Sequence, residues 1–187
     1  SEKYDGLRGV WTGNELVARP QKDRETKIMT GKLFTTVPSF FQDLLPPGVA
    51  LDGEIWMGRG NFQKVSGLSS LKVTKKQTLE NIEKSWESVT YMVFDSPSLE
   101  GPYEVRMGAL SKIIVQIGKR WKKTVKGKAG VPCPIKLVES YRIKDDEHLM
   151  SMYTGMTSSG AEGVMVRAPH NVYETKRSKL LLKMKVQ

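Results

Sequence analysis

Ser1-Glu2-Lys3-Tyr4-Asp5-Gly6-Leu7-Arg8 opens the chain, and its reading decides how the rest is understood. Lys3 stands two residues before Asp5-Gly6, and the apolar residues Leu7 and Val10 follow behind it. That spacing suits a strand entering a hairpin, because Gly13-Asn14 offers a turn before Glu15-Leu16-Val17. Lys3 is therefore expected at the mouth of a sheet rather than on a free surface.

Working outward, Arg19-Pro20 through Gly31 is polar and reads as a loop, and Pro38 to Pro47 frames a short helix capped by Ser39. Val49 to Met57 reads as a strand that carries two acids, Asp52 and Glu54, inside an apolar run. Burying such acids is costly unless they are paired or bound to something. Gly58-Arg59-Gly60 is a tight turn, and Gln63 together with the lack of a following βαβ unit excludes a dinucleotide fingerprint. Helices are expected over 62–70, 77–85 and 107–123, the last from the spacing of Leu110, Ile113, Ile114, Ile117 and Trp121. Strands are expected over 88–95, 134–143, 163–167 and 180–186, with a helix capped by Asp145 or Asp146 before the third of these. Strands and helices mix without a regular βαβ rhythm, which predicts an α+β fold on antiparallel sheets.

The chain of 187 residues is long enough for one substantial core or two small ones sharing a cleft. No apolar run approaches the length of a membrane span. A single cysteine, Cys133, excludes an internal disulfide and fits an intracellular, reducing compartment. His148 and His170 lie far apart, so a bound metal is expected to be a hard cation on carboxylates. The net charge of +10 favours a polyanionic partner, since neutralised phosphates release counterions. Its uneven spread strengthens that reading: Lys119, Arg120, Lys122, Lys123, Lys126 and Lys128 cluster without an acid between them. Part of this cluster also suits the C-terminal end of a helix dipole.

Five segments recur in a fixed order: Lys3-Tyr4-Asp5-Gly6-Leu7-Arg8, Leu51-Asp52-Gly53-Glu54, Tyr91 to Asp95, Glu162-Gly163-Val164-Met165-Val166-Arg167, and Leu182-Lys183-Met184-Lys185. Together they resemble the nucleotidyltransferase domain of ATP-dependent DNA ligases, over essentially the whole chain. Leu51 through Phe62 is similar to the small, minimal members of that family. The resemblance implies an ATP-grasp-like α+β domain, with antiparallel sheets flanked by helices and the nucleotide cleft between them. It implies that Lys3 attacks the α-phosphate of ATP and forms lysyl-AMP. Removing the proton from an ordinary lysine at neutral pH costs roughly 4 kcal/mol, which neighbouring cations reduce. Lys183, Lys185 and a bound Mg²⁺ (or Mn²⁺) are the implied cations, and they would also steady charge developing on the phosphates.

By the same resemblance Glu162 holds the metal, and Glu54 contacts the ribose or supports that metal. Phe94 stacks on adenine with Met165 over its other face, Arg8 contacts the ribose side, and backbone groups of Ser1 and Glu2 read the adenine edge. Nicked duplex DNA is the implied partner of a monomer, with Arg19, Arg59 and the cations Lys119, Arg120, Lys122 and Lys123 on the DNA side. Ala18-Arg19-Pro20-Gln21 departs from the Ser-Arg-x-Gly turn usual at that place. An RNA ligase, a GTP-using capping enzyme and a non-catalytic nucleic-acid-binding module are the alternatives. The chain opens inside its first motif and stops in an expected strand, so a catalytic core cut at both ends is expected, without the family's C-terminal OB-fold domain. Such a core is expected to seal nicks badly by itself.

Overall fold

The computed structural model describes residues 1–18, 21–22, 29–30 and 34–186. In chain order the first elements are β1 (Glu2–Lys3), β2 (Leu7–Trp11) and β3 (Leu16–Ala18), then the short antiparallel pair β4 (Gln21–Lys22) and β5 (Met29–Thr30). Next come α1 (Ser39–Gln42), β6 (Leu51–Trp56), α2 (Phe62–Leu68), α3 (Leu79–Trp86), β7 (Thr90–Asp95) and α4 (Tyr103–Trp121). The remainder is α5 (Val125–Lys128), β8 (Ile135–Leu137), α6 (Asp146–Ser158), β9 (Gly163–Arg167) and β10 (Leu181–Lys185). Among the described residues, no helix is long and apolar enough to cross a membrane.

A five-stranded sheet in the order β3-β2-β6-β7-β8 holds the core. Leu51, Ile55, Tyr91 and Val93 are fully buried on it. The apolar stripe of α4 packs onto the same core, burying Leu110, Ile117 and Trp121. Glu104 in the first turn of that helix and Lys119 and Arg120 in its last match the helix dipole. Burying a large apolar side chain contributes about 1.5–3 kcal/mol, so this cluster dominates the stability of the fold. Around Trp86, Phe41 and Phe34 pack edge-on at 5.0 and 6.0 Å.

Three local expectations are corrected. The strand expected over 134–143 shortens to β8, and it runs parallel to β7 because α4 carries the chain back across the sheet. The large sheet is therefore mixed rather than wholly antiparallel. Ser39 is the first helical residue of α1, not its cap, since Pro38 takes the capping position without a side-chain hydrogen bond. Asp145, in contrast, caps α6 by accepting from the His148 backbone at 2.8 Å.

A second, three-stranded antiparallel sheet has the order β1-β9-β10. Its register places Lys3 and Lys185 on either side of Gly163, and Lys183 opposite Met165. This sheet and the large one face each other across a deep cleft.

Candidate active site

The cleft has a volume of about 960 Å³, and both sheets contribute to its walls. Directly opposed residues on neighbouring antiparallel strands point to the same face, about 4.8 Å apart. Lys3, Gly163 and Lys185 therefore form one row on the small sheet, and Met165 and Lys183 the next. Gly163 is required for this row: a Cβ there would come within 1.9 Å of the Met184 carbonyl oxygen, so any side chain would push β10 away. The Lys3 ammonium donates to Glu162 Oε2, and Lys183 lines the cleft. Lys185 is exposed one row further along and does not line it. Ser1 sits beside Met165, whose backbone N–H donates to the Ser1 carbonyl at 2.8 Å.

The opposite wall is the large sheet. Arg8 on β2 lies opposite Glu54 on β6, and Gly6 lets this pair approach, since a Cβ on it would sit 2.3 Å from the Ile55 carbonyl oxygen. Arg8 grips the fully buried Asp52 with both arms, Nε to Oδ1 at 2.9 Å and Nη2 to Oδ2 at 2.5 Å. Tyr173 donates its hydroxyl to the same Oδ2 at 2.8 Å. The acid that was costly on paper is thus paired, with its lone pairs satisfied. Burial by itself would lower the Arg8 pKa, but the hydrogen bond and charge of Asp52 more than offset it and hold the guanidinium above its usual value. Arg8 also lies 5.5 Å over the ring of Phe94. Burial raises the Glu54 carboxyl to about 7, with Lys3 and Arg8 pulling the other way.

Behind Phe94 lies a network that the sequence reading missed. Asp95 Oδ1 accepts from Arg106 Nε and from the Ser96 backbone, each at 2.8 Å. Its Oδ2 accepts from Arg106 Nη2 at 2.9 Å and from Arg167 Nη1 at 2.6 Å. Arg106 is fully buried and donates in addition to the carbonyls of Gly101 and Asn171, both at 2.7 Å. This ties the end of β7 to the end of β9, the strands that carry Phe94 and Met165. The only signal available beforehand was an acid, Asp95, closing an apolar strand.

The residues expected on a DNA face fall in separate places. Arg19 lies outside the described residues. Lys119, Arg120, Lys122 and Lys123 are exposed at the far end of α4, whose first turns, with Tyr103, Glu104 and Met107, line the cleft. Twelve or more helical residues separate the two ends, roughly 18 Å or more. Arg120 also donates to the Leu44 carbonyl. Arg59 is held by Glu2, with Nε to Oε1 at 3.0 Å and Nη2 to Oε2 at 2.9 Å.

As for a metal, the described residues hold no group of three or more His, Cys, Asp or Glu side chains that could enclose one. Two carboxylates, Glu54 and Glu162, stand near Lys3. That set fits a hard cation such as Mg²⁺, which is commonly bound by one or two carboxylates together with substrate phosphates and water.

A lysine paired to a carboxylate, opposed to an Arg–Asp wall across a cleft, can be compared with known proteins. The family model described as the ATP dependent DNA ligase domain matches residues 1–185. This chain belongs to that family. A DNA ligase of Haemophilus influenzae is 30% identical over 185 residues, which are 99% of this chain and 56% of that relative. A structure from a structure–function study of Lig E DNA ligases, on DNA binding with a minimal scaffold, superposes over the whole chain and 60% of its own, at 27% identity and a TM-score of 0.71. The Chlorella virus DNA ligase–adenylate is 22% identical with a TM-score of 0.65, over 99% of this chain and 61% of its own. The bacteriophage T7 ATP-dependent DNA ligase in complex with ATP is 18% identical with a TM-score of 0.62, over 98% and 60%. These last two share the fold. The chain thus spans a little over half the length of the relatives it matches.

Proposed function

We propose that this domain is the adenylating core of an ATP-dependent DNA ligase. The observation that carries the proposal is Lys3 inside the cleft, bonded to Glu162 and one row away from Lys183, across β9. In the proposed reaction the neutral Lys3 amine attacks the α-phosphorus of ATP. A P–N bond forms, the P–O bond to pyrophosphate breaks, and the amine gives up its remaining extra proton to solvent or the leaving group. AMP then passes to the 5′-phosphate of a nick, and the 3′-hydroxyl displaces it to seal the strand.

The wall residues fit these roles. Phe94 and Met165 come from the two opposed sheets and both line the cleft, which suits a planar base held between them. Arg8, held by Asp52 and Tyr173, offers a fixed cation beside the ribose, and Ser1 and Glu2 border the same cavity. Lys183 places positive charge in the cleft that receives the phosphates, and Lys185 adds to it from beyond the cleft lining. Glu162, with Glu54 in support, would hold Mg²⁺, which would supply charge neutralisation on the phosphates. The exposed cations at the end of α4 suit duplex phosphates at a distance from the chemistry.

The test is incubation with Mg²⁺ and ATP labelled at the α-phosphate, followed by a denaturing gel. Label should stay on the protein, disappear on acid treatment as a phosphoramidate does, and move to nicked duplex DNA when that is added. Labelling by GTP in place of ATP would point to a capping-type enzyme, and transfer only to nicked RNA would point to an RNA ligase. No covalent label from either nucleotide would defeat the proposal.

A further inference from the structure

Arg59 was expected on the DNA side, and although it is exposed its guanidinium is fully engaged by neighbouring protein groups. Two of its nitrogens form the fork onto the Glu2 carboxylate. The third, Nη1, donates to the Ser159 carbonyl at 2.6 Å and lies 3.1 Å from the Ser159 hydroxyl. Ser159 is the C-terminal cap of α6, where helix carbonyls lack intrahelical partners and carry partial negative charge. Gly160 follows with φ of +94°, which turns the chain sharply out of the helix toward Glu162.

The position of these partners in the sequence is what matters. Glu2 immediately precedes Lys3, and Ser159 lies three residues before Glu162. One guanidinium, rooted in the turn after β6 of the large sheet, thus holds the Glu2 carboxylate beside Lys3 and the Ser159 carbonyl just before Glu162. The native anchoring of β1 is otherwise slight, for it is a two-residue strand paired only to β9. Glu2 is the more shielded partner, with a side-chain exposure of 16% against 36% for Arg59, and it is the two-pronged geometry that sets the fork apart from an ordinary surface pair.

We propose that Arg59 is a positioning residue for self-adenylation: it fixes the segments that carry Lys3 and Glu162 by gripping Glu2 and the end of α6. This rests on the ligase reading above. A nucleophile misplaced by about 1 Å can lose up to about 100-fold in rate. The effect falls on the covalent step, because Arg59 does not line the nucleotide cleft.

The test measures self-labelling by ATP and Mg²⁺ without DNA, well below the melting temperature, for wild type, Arg59→Ala, Arg59→Lys, Glu2→Gln and the double variant. At saturating ATP, Arg59→Ala and Glu2→Gln should slow labelling about 10- to 100-fold, with the ATP concentration for half-maximal rate changed by no more than about threefold in Arg59→Ala. The double variant should be no slower than Arg59→Ala, since both changes break one unit. Arg59→Lys should recover only part of the loss, because an ammonium cannot reproduce the fork and reach Ser159 as well. Should Arg59→Ala fail to fold, Glu2→Gln carries the same test with the arginine in place.

Wild-type labelling with no slowing in Arg59→Ala or Glu2→Gln overturns the inference alone. Additive slowing in the double variant also overturns it. If Arg59→Ala labels normally but binds nicked duplex DNA more weakly, Arg59 belongs to the DNA face instead. Absence of label in the wild type defeats the ligase reading itself, which keeps the two failures apart.

Discussion

The two sheets that face the cleft are built on opposite terms. The large sheet is backed by α4 and a continuous apolar core, and it presents cleft residues whose charges are locked in buried pairs, Arg8 with Asp52 and Asp95 with Arg106 and Arg167. The small sheet has little burial along β10, and its helix α6 has no buried residue at all. It nevertheless carries Lys3, Glu162, Lys183 and Lys185. Under the proposed function this difference is a division of labour: a rigid wall shapes and orients, while a lightly packed sheet presents charges that must change partners during the reaction. A carboxylate buried between two arginines could not exchange partners cheaply, whereas Glu162, partly exposed beside Lys3, can.

If that division is right, substitutions on the small sheet should affect chemistry with little change in stability, and those on the large sheet the reverse. The largest effect is expected for Lys3→Ala, which should reduce covalent labelling by about 10³-fold or more. Its melting temperature should stay close to wild type, and a large drop would break the comparison.

On the large sheet, Asp95→Ala leaves Arg106 buried without its carboxylate and also frees Arg167. It should destabilise the domain by about 3–5 kcal/mol, read from denaturant unfolding. A loss below about 1 kcal/mol would show that the wall is not held this way.

A smaller effect concerns pH. In the metal-free protein burial holds the Glu54 carboxyl at about 7, against an ordinary value of 4.5. Between those values the folded chain keeps a proton that the unfolded chain has released, so stability must fall as pH rises through that window. The stability difference between wild type and Glu54→Gln should therefore shift against wild type by about 1–3 kcal/mol from about pH 4.5 to about pH 7.5. A flat difference would mean that Glu54 is solvated like an ordinary surface acid.

The smallest effect is expected at the end of α4, far from both cleft walls. Replacing Lys122 and Lys123 by Ala should leave self-labelling unchanged and lower the salt dependence of nicked-DNA binding by about one unit of slope per lysine. Reduced labelling in the absence of DNA would contradict its remoteness from the site.

Much of the fold was legible because period and punctuation agree with tertiary context. The strand at 163–167 appears as β9 with those bounds, and the apolar spacing from Leu110 to Trp121 does form the buried face of α4. Where the reading slipped, a neighbour decided. Residues 134–143 have strand-like composition, but only Ile135–Leu137 finds a partner in β7, and only because the long helix returns the chain parallel to it. Of the candidate site, the sequence shows Lys3, Glu162 and Lys183, which the fold brings to or beside the cleft, since lysines and acids at fixed motif positions are visible in a string of residues. Their holders are not. Asp52 was noticed as an acid in need of a partner, but Tyr173, 121 positions away, could not be paired with it from the sequence. Arg106 sits on an amphipathic helix, where a solvent-facing role is the ordinary reading, and instead it is buried against Asp95.

By itself the sequence determined the kind of chemistry available: a lysine before Asp-Gly, a carboxylate before Gly163, two lysines at strand spacing, and a strongly basic surface. Local alternation, turn residues and charge are properties of neighbours along the chain, so they can be read there. The tertiary structure alone decided which charges meet, that Arg59 bonds to Glu2 and Ser159, and that Asp95 is shared by two arginines. Those outcomes depend on desolvation and on hydrogen bonds between residues tens of positions apart, which have no signature until packing brings the strands together.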